Sequence, residues 1–232
     1  MTPERKDRIT QVLDKRQPDL TVITDEVHKS RNLAAIVRNC DAVGIDNIHC
    51  VVPKSGYQIF MGTSASAEKW VELHHHADVQ TPIKQLKAQG FQIVSAHLSE
   101  RAVDYRSVDY TKPTALLMGA EVEGVSEAAI GESDVEVILP MLGMVESYNV
   151  SVACALILSE AQNQREKAGL YKERRLPEAL YTKRFFNWAH PKLAAFCDEN
   201  NLEYPPCRED GEVENLSQWY ASARAGIAEK KG

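Results

Sequence analysis

Along the first two thirds of the chain, short β-branched runs alternate with helical stretches that end at glycine, and this alternation restricts the fold more than any other feature. Residues 21–27 (TVITDEV) have the composition of a strand. The next stretch, NLAAIVRNCDAVG, sets Leu33, Ile36 and Val37 at helical spacing and reaches a helix stop at Gly44. Residues 48–53 (IHCVVP) read as a second strand that Pro53 closes. Residues 78–89 read as a helix stopped by Gly90, residues 91–98 as a strand, and residues 114–119 as another, followed by a loop with Gly124 and a short helix at SEAAI. Residues 135–140 form the last clear strand, and VSVACALILSEAQNQREKAG is the longest helix. The pattern predicts an α/β fold with a mostly parallel sheet flanked by helices on both faces. Such a sheet puts its ligand site in the loops beyond the C-terminal ends of its strands.

The chain has 232 residues, 44% of them hydrophobic, which is enough to bury a core without disulfides or metal. Five cysteines with no CxxC pair read as reduced packing thiols. No run approaches the roughly 18 apolar residues of a membrane span. The start, MTPERKDRITQVLDKRQPD, lacks the apolar core of a signal peptide. The expectation is a cytoplasmic chain with no membrane partner. A net charge of −6 taken alone argues against nucleic acid. Its distribution changes that reading, because a polyanion feels a local patch. Residues 1–40 and 160–199 each hold eight Lys/Arg against six Asp/Glu, whereas residues 98–137 hold three against nine. The basic ends permit an RNA partner. Beyond Gly169, LYKERRLPEALYTKRFFNWAHPKLAAFC interleaves cations with Tyr, Phe and Trp and reads as an appendage of amphipathic helices. The domain reading is a helical extension over 1–20, an α/β domain over 21–160 and a second helical extension over 161–232.

Three loops that follow strands carry the candidate chemistry. In EVHKSRNLAAIVR, Asn32 fits a helix N-cap, and Arg38 is either an exposed helical arginine or a guanidinium fork for an anion such as phosphate. In LLMGAEVEGVS, Gly119 and Gly124 allow close backbone approach, and Glu121 between them can accept hydrogen bonds; a simple turn explains the same residues. In ILPMLGMVESYNVSVACAL, Ser147, Tyr148 and Asn149 interrupt apolar sequence just before the long helix. Ser147 and Asn149 can cap that helix, yet the loop is longer than a cap requires, which suits a backbone-lined pocket. His74, His75 and His76 lie in a strand, where adjacent side chains alternate and cannot all reach one ion, so no metal is expected.

In these loops the chain resembles the knotted RNA 2'-O-methyltransferases of the SPOUT class, in the SpoU/TrmH branch. The residues that carry the resemblance are Asn32-Leu33-x-Ala35-x-x-Arg38, then Leu116-Leu117-Met118-Gly119-Ala120-Glu121-x-Glu123-Gly124, then Ile138-Leu139-Pro140-Met141-x-Gly143 with Ser147-Tyr148-Asn149-Val150-Ser151-Val152-Ala153. RKDRITQVLDKRQPDLTVITDEVHKSRN, TSASAEKWV and the C-terminal extension extend the likeness to the bacterial enzymes that act on guanosine 18 in the D-loop of tRNA. Alanine stands at 35 where relatives often have glycine nearby, and tyrosine at 148 where they often have leucine.

The resemblance implies a deep trefoil knot, which general folding rules would not predict, and a homodimer. It implies S-adenosyl-L-methionine as methyl donor, with S-adenosyl-L-homocysteine as product, and tRNA as substrate. Ala96, His97, Gly119, Leu139, Met141 and Tyr148 become candidate cofactor contacts. Arg38, Asn32, Glu121, Ser147 and Asn149 become candidate catalytic residues, and Arg8, Lys29, Arg31, Arg165, Arg174, Arg175, Lys183 and Arg184 candidate RNA contacts. The family assigns proton removal from the ribose hydroxyl to the residue matching Arg38. A charged guanidinium has no acceptor, so the expectation is that Arg38 orients a substrate phosphate and stabilises charge on oxygen while the proton passes to phosphate or water. The competing readings are the same chemistry at another tRNA or rRNA position, and an inactive RNA-binding protein with the same fold.

Overall fold

The computed structural model describes residues 1–52, 67–120 and 124–231. Pro53, residues 63–66 of TSASAEKWV, Glu121 and Glu123 lie outside these. The chain divides into two compact units, one of Arg16–Glu173 and one of Met1–Lys15 with Arg174–Gly232. The two terminal segments thus belong to one unit, and the sheet unit runs past residue 160 to take in the whole of the long helix.

The sheet unit contains β1 (Leu20–Thr24), α2 (Ser30–Ala42), β2 (Asn47–Val51), β3 (Glu72–His76), α3 (Gln80–Ala88), β4 (Gln92–Ala96), β5 (Val103–Asp104), β6 (Thr114–Met118), α4 (Glu127–Ile130), β7 (Val135–Ile138) and α5 (Val150–Lys167). Among the described residues the seven strands pair in parallel, in the order β3-β2-β1-β6-β4-β7-β5. β1 and β6 lie inside that order and are buried at every position, which is why LTVIT and TALLM carry no charge. β3 lies at an edge and reads ELHHH, polar and half-buried.

Two apolar clusters cover the two faces. On one, Ile36, Val37 and Cys40 of α2 and Cys154, Ile157 and Leu158 of α5 pack on Leu20, Val22 and Leu116. On the other, Ile83 and Leu86 of α3 pack on Ile23, Ile93 and Leu117. Each fully buried Leu, Ile or Val stabilises by about 1.5–3 kcal/mol. Gly44 (φ 84) ends α2 in the left-handed conformation that glycine adopts without strain, where the helix stop was expected.

Two buried arginines fasten this unit from inside. The Arg16 guanidinium donates to the Ile45 carbonyl (2.6 Å), the Asp41 carboxylate (2.7 Å) and the Trp70 carbonyl (3.0 Å). Arg165, near the end of α5, donates to the carbonyls of Tyr110 (2.9 Å), Asp19 (3.1 Å) and Lys112 (3.1 Å), to the Gln17 amide oxygen (2.9 Å) and to the Asp19 carboxylate (2.7 Å). Asp19 and Lys112 precede β1 and β6, so Arg165 ties α5 to the N-terminal end of the sheet. Losing one partner of such a buried pair costs about 3–5 kcal/mol.

The second unit is helical: α1 (Pro3–Leu13), α6 (Glu178–Ala189), α7 (Pro191–Glu199) and α8 (Leu216–Arg224). Thr2 caps α1 by accepting from the Arg5 amide (3.3 Å), and Arg5 donates to the Trp188 carbonyl of α6 (2.9 Å). Phe186, Leu193, Cys197, Leu202 and Val213 form its core, with Phe186 stacked on Tyr204 at 4.6 Å. Among the described residues, no helix of either unit is long and apolar enough to cross a membrane.

His74 and His76 share one face of β3, as alternation requires, and both approach His49 of β2, whose Nδ1 lies 2.9 Å from the His76 Nε2. Burial first, then His74 and His76, push His49 from 6.5 down to about 4. The unfolded chain therefore binds the extra proton first, so this histidine's share of stability is complete above pH 6.5 and is lost as pH falls toward about 4. His49→Gln should flatten the stability loss between those pH values while leaving the curve above pH 7 nearly parallel to that of the parent. Urea unfolding at a series of pH values measures this.

Candidate active site

A cavity of about 510 Å³ opens where the C-terminal ends of β4, β6 and β7 meet the start of α5. This is where a parallel sheet offers its loop ends to a ligand, and the volume lies within the range of small-molecule sites. Ala96, His97, Gly119, Leu139, Met141 and Tyr148 all line it, together with Ser147 and Asn149.

The wall after β6 is shaped by backbone. Ala120 and Gly124 pair antiparallel, Ala120 N–H donating to the Gly124 carbonyl (2.9 Å) and Gly124 N–H to the Ala120 carbonyl (3.0 Å). The chain folds back so closely that a Cβ at Gly119 would overlap the Gly124 carbonyl and the Val125 nitrogen. Asp25, buried just past β1, holds the returning strand: its carboxylate accepts from the Ser126 amide (2.8 Å), and its own amide donates to the Met118 carbonyl (2.8 Å). Glu26 follows at φ 50, a left-handed conformation that costs a residue with a side chain free energy. Asp25 was not singled out in the sequence, although its place at the C-terminal end of a β-branched run was the signal for it.

The third loop meets α2 through one side chain. Asn149 is the N-cap of α5: its amide oxygen accepts from the Ser151 amide (2.9 Å) and hydroxyl (2.6 Å), and its NH2 donates to the Asn32 amide oxygen (3.2 Å). Asn32 is not the cap of α2. That helix starts at Ser30 with Lys29 at its cap, which places Asn32 inside the first turn, buried and facing α5. A second bond runs alongside, from the Asn39 amide to the Ser151 carbonyl (2.9 Å). Asn39 also escaped notice, since a polar residue in an apolar helix face acquires meaning only when the facing helix is known.

Arg38 stands apart from this pair. It is exposed on α2, does not line the cavity, and makes no hydrogen bond or ion pair among the described residues. Asn32 faces inward, toward Asn149, and Arg38 faces outward. Ser147 is exposed at the cavity wall. Glu121 lies outside the described residues.

The candidate RNA contacts divide in two. Arg8, Lys29, Arg31, Arg174 and Lys183 are exposed and Arg175 is half-buried. Arg174 pairs with Glu178 (2.9 Å) and lies over the Tyr181 ring (4.3 Å). Two residues must be withdrawn. Arg165 is fully buried, with its hydrogen bonds directed to the N-terminal end of the sheet, and Arg184 is 7% exposed inside the helical unit. A phosphate needs a guanidinium that reaches solvent, and neither does.

Fold and cavity together define a parallel α/β protein that binds a small ligand against a tight glycine turn. The chain belongs to the SpoU rRNA Methylase family, whose model matches residues 19–159, and residues 163–216 match the SpoU, rRNA methylase, C-terminal model. It is similar to the tRNA (guanosine(18)-2'-O)-methyltransferase of Escherichia coli, 43% identical over 227 residues that cover 97% of this chain and 99% of the relative. The Thermus thermophilus enzyme of the same name is 52% identical over 187 residues, 81% of this chain and 96% of the relative. Among solved structures, the A. aeolicus TrmH/SpoU tRNA modifying enzyme superposes with a TM-score of 0.76 at 40% identity, covering 82% of this chain and 97% of that one.

Gly119→Ala should open the turn against Gly124, lower stability by about 1–3 kcal/mol and abolish measurable ligand binding in the cavity. Thermal unfolding and calorimetric titration with S-adenosyl-L-methionine measure the two effects on one sample.

Proposed function

We propose that this chain transfers a methyl group from S-adenosyl-L-methionine to the ribose 2'-hydroxyl of guanosine 18 in the D-loop of tRNA. The observation that carries this reading is the match to the Escherichia coli enzyme, which extends over 97% of this chain and so includes both compact units. The fold is that of the family, and with it we infer the trefoil knot. The chain acts in the cytoplasm, where its RNA substrate resides.

The residues present fit the cofactor. The cavity has the volume for it, and the side chain missing at Gly119 is what leaves room for the turn that forms one wall. Ala96, His97, Gly119, Leu139, Met141 and Tyr148 would hold it. S-adenosyl-L-methionine supplies an electrophilic methyl group on a sulfonium. The protein has to place the ribose hydroxyl and manage its proton. Arg38 receives a substrate phosphate: it is exposed, and its planar fork suits two oxygens. It also stabilises charge on the hydroxyl oxygen, while the phosphate or water takes the proton. Asn149, fixed by Asn32 and Ser151, and Ser147 beside it orient the ribose at the cavity mouth. Glu121 belongs to the same machinery on the strength of the family match alone. The scheme assigns no role to a metal ion.

Arg8, Arg174, Arg175 and Lys183 on the helical unit, and Lys29 and Arg31 at the start of α2, contact the RNA backbone. A second copy of the chain covers the apolar residues around the cavity. Leu142 and Met144 are almost wholly exposed, and Leu98, Val145, Tyr148 and Val152 are exposed beside the same loops. Surfaces of that kind mark interfaces.

Arg38→Ala and Arg38→Lys should each reduce methyl transfer by at least about a hundredfold and leave S-adenosyl-L-methionine affinity within about twofold of the parent. Mass mapping of tRNA and rRNA methylated in vitro reads both rate and position. Product at any site other than guanosine 18, or near-normal turnover in either variant, would remove the corresponding part of the proposal. Neutralising Arg174, Arg175 and Lys183 together should weaken tRNA binding and lower the slope of log K against log salt by about 2, as measured by filter binding at several salt concentrations.

A further inference from the structure

The wall formed by Ala96, His97 and Leu98 belongs to the stretch that leaves β4 and reaches no further strand until Val103–Asp104. An irregular segment keeps its place only where other groups fix it. At the near end, the His97 amide donates to the Val137 carbonyl of β7 (3.2 Å). At the far end the fixing group is a single carboxylate, Glu136, also on β7 and in register with Ser95 of β4. Glu136 is 5% exposed, and its two oxygens accept from the Ser99 hydroxyl and the Arg101 guanidinium. The turn is closed on itself as well: Arg101 N–H donates to the Ser99 hydroxyl oxygen (3.2 Å) and Ala102 N–H to the Ser99 carbonyl (3.2 Å). The Ser99 hydroxyl, with the charge of Arg101 nearby, holds the Glu136 carboxyl below its ordinary range against the opposing effect of burial. It therefore stays ionised at neutral pH as an acceptor for both donors.

We propose that Glu136 is a positioning residue for the cofactor: by anchoring Ser99 and Arg101 it sets the place of the His97–Leu98 wall and thereby the affinity of the cavity for S-adenosyl-L-methionine. The inference rests on the reading of this cavity as the cofactor site. Glu136 does not line the cavity and touches no reacting group. Its removal acts through the loop, so the loss falls on cofactor binding and not on the transfer step.

The test is calorimetric titration of the full-length protein with S-adenosyl-L-methionine, set beside steady-state kinetics and amide hydrogen exchange. Glu136→Ala should raise the cofactor Kd by about tenfold, the size expected when hydrogen bonds to a charged group are lost. Glu136→Gln, which keeps one acceptor for Ser99, should recover part of that loss. In both, the cofactor KM should rise with the Kd while kcat at saturating cofactor stays within about twofold, and amides 97–102 should exchange faster while those of α5 do not. Ser99→Ala, a smaller change on the exposed side of the pair, should show the same pattern should Glu136→Ala fold poorly. A cofactor Kd unchanged within about twofold in folded Glu136→Ala, or a fall in kcat with an unchanged KM, would overturn the proposal. Failure of the parent protein itself to bind S-adenosyl-L-methionine would overturn the cavity reading, an outcome separate from either.

Discussion

The arrangement around the cavity depends on the side chain of Asn149. One amide oxygen closes the first turn of α5 through Ser151, and the NH2 of the same group reaches Asn32 inside α2. A cap satisfies an orphan backbone donor. Here the capping amide also has a second partner on another helix, so the direction of α5, the end of the 139–149 loop and the inward face of α2 are set together. The Asn39 bond to the Ser151 carbonyl keeps that contact from pivoting, and the apolar packing of Val37 and Cys40 against Cys154 and Ile157 supplies the area behind it.

The two ends of the sheet do different work. At the N-terminal ends of β1 and β6, the fully buried Arg165 guanidinium binds carbonyls and a carboxylate, which stabilises the fold and leaves none of its own donors for solvent. At the C-terminal ends the backbone is irregular and held by single polar anchors: Asp25 on the Ser126 amide, the Ala120–Gly124 bridge and Glu136 on Ser99 and Arg101. In the loop after β7, apolar side chains such as Leu142 and Met144 stand in solvent. That exposure is costly unless another surface covers it, and it surrounds the cavity.

Much of the fold was legible because burial on both faces leaves a direct trace in residue choice. The β-branched and apolar runs at TVITDEV and TALLMG read as strands, and their cores LTVIT and TALLM are buried throughout, while Gly44 and Gly169 mark the helix ends where φ is positive. Legibility failed where one residue type serves two purposes. An arginine in the last turn of a helix, Arg165, looks the same in sequence whether it meets phosphate or backbone carbonyls inside the fold, and Arg184 is ambiguous in the same way. Asn32 has the composition of a cap, yet the helix begins two residues earlier and turns it inward. His74 and His76 alternate as a strand requires, but their meeting with His49 depends on which strand lies beside β3.

The sequence by itself determined the strand and helix order apart from the two-residue β5, the parallel class of the sheet and the three loops that hold the candidate chemistry, because periodicity, β-branching and helix-ending glycines act over a few residues. Only the tertiary structure decided which groups meet: Asn149 with Asn32, Asp25 with Ser126, Glu136 with Ser99, and Arg165 with Asp19. These pairs are separated by 37 to 146 residues of chain. The alternatives open to each polar side chain are nearly equal in free energy until packing removes water from one of them. That selection is made by the assembled sheet and its covering helices, and it brings the loops after β4, β6 and β7 to one cavity.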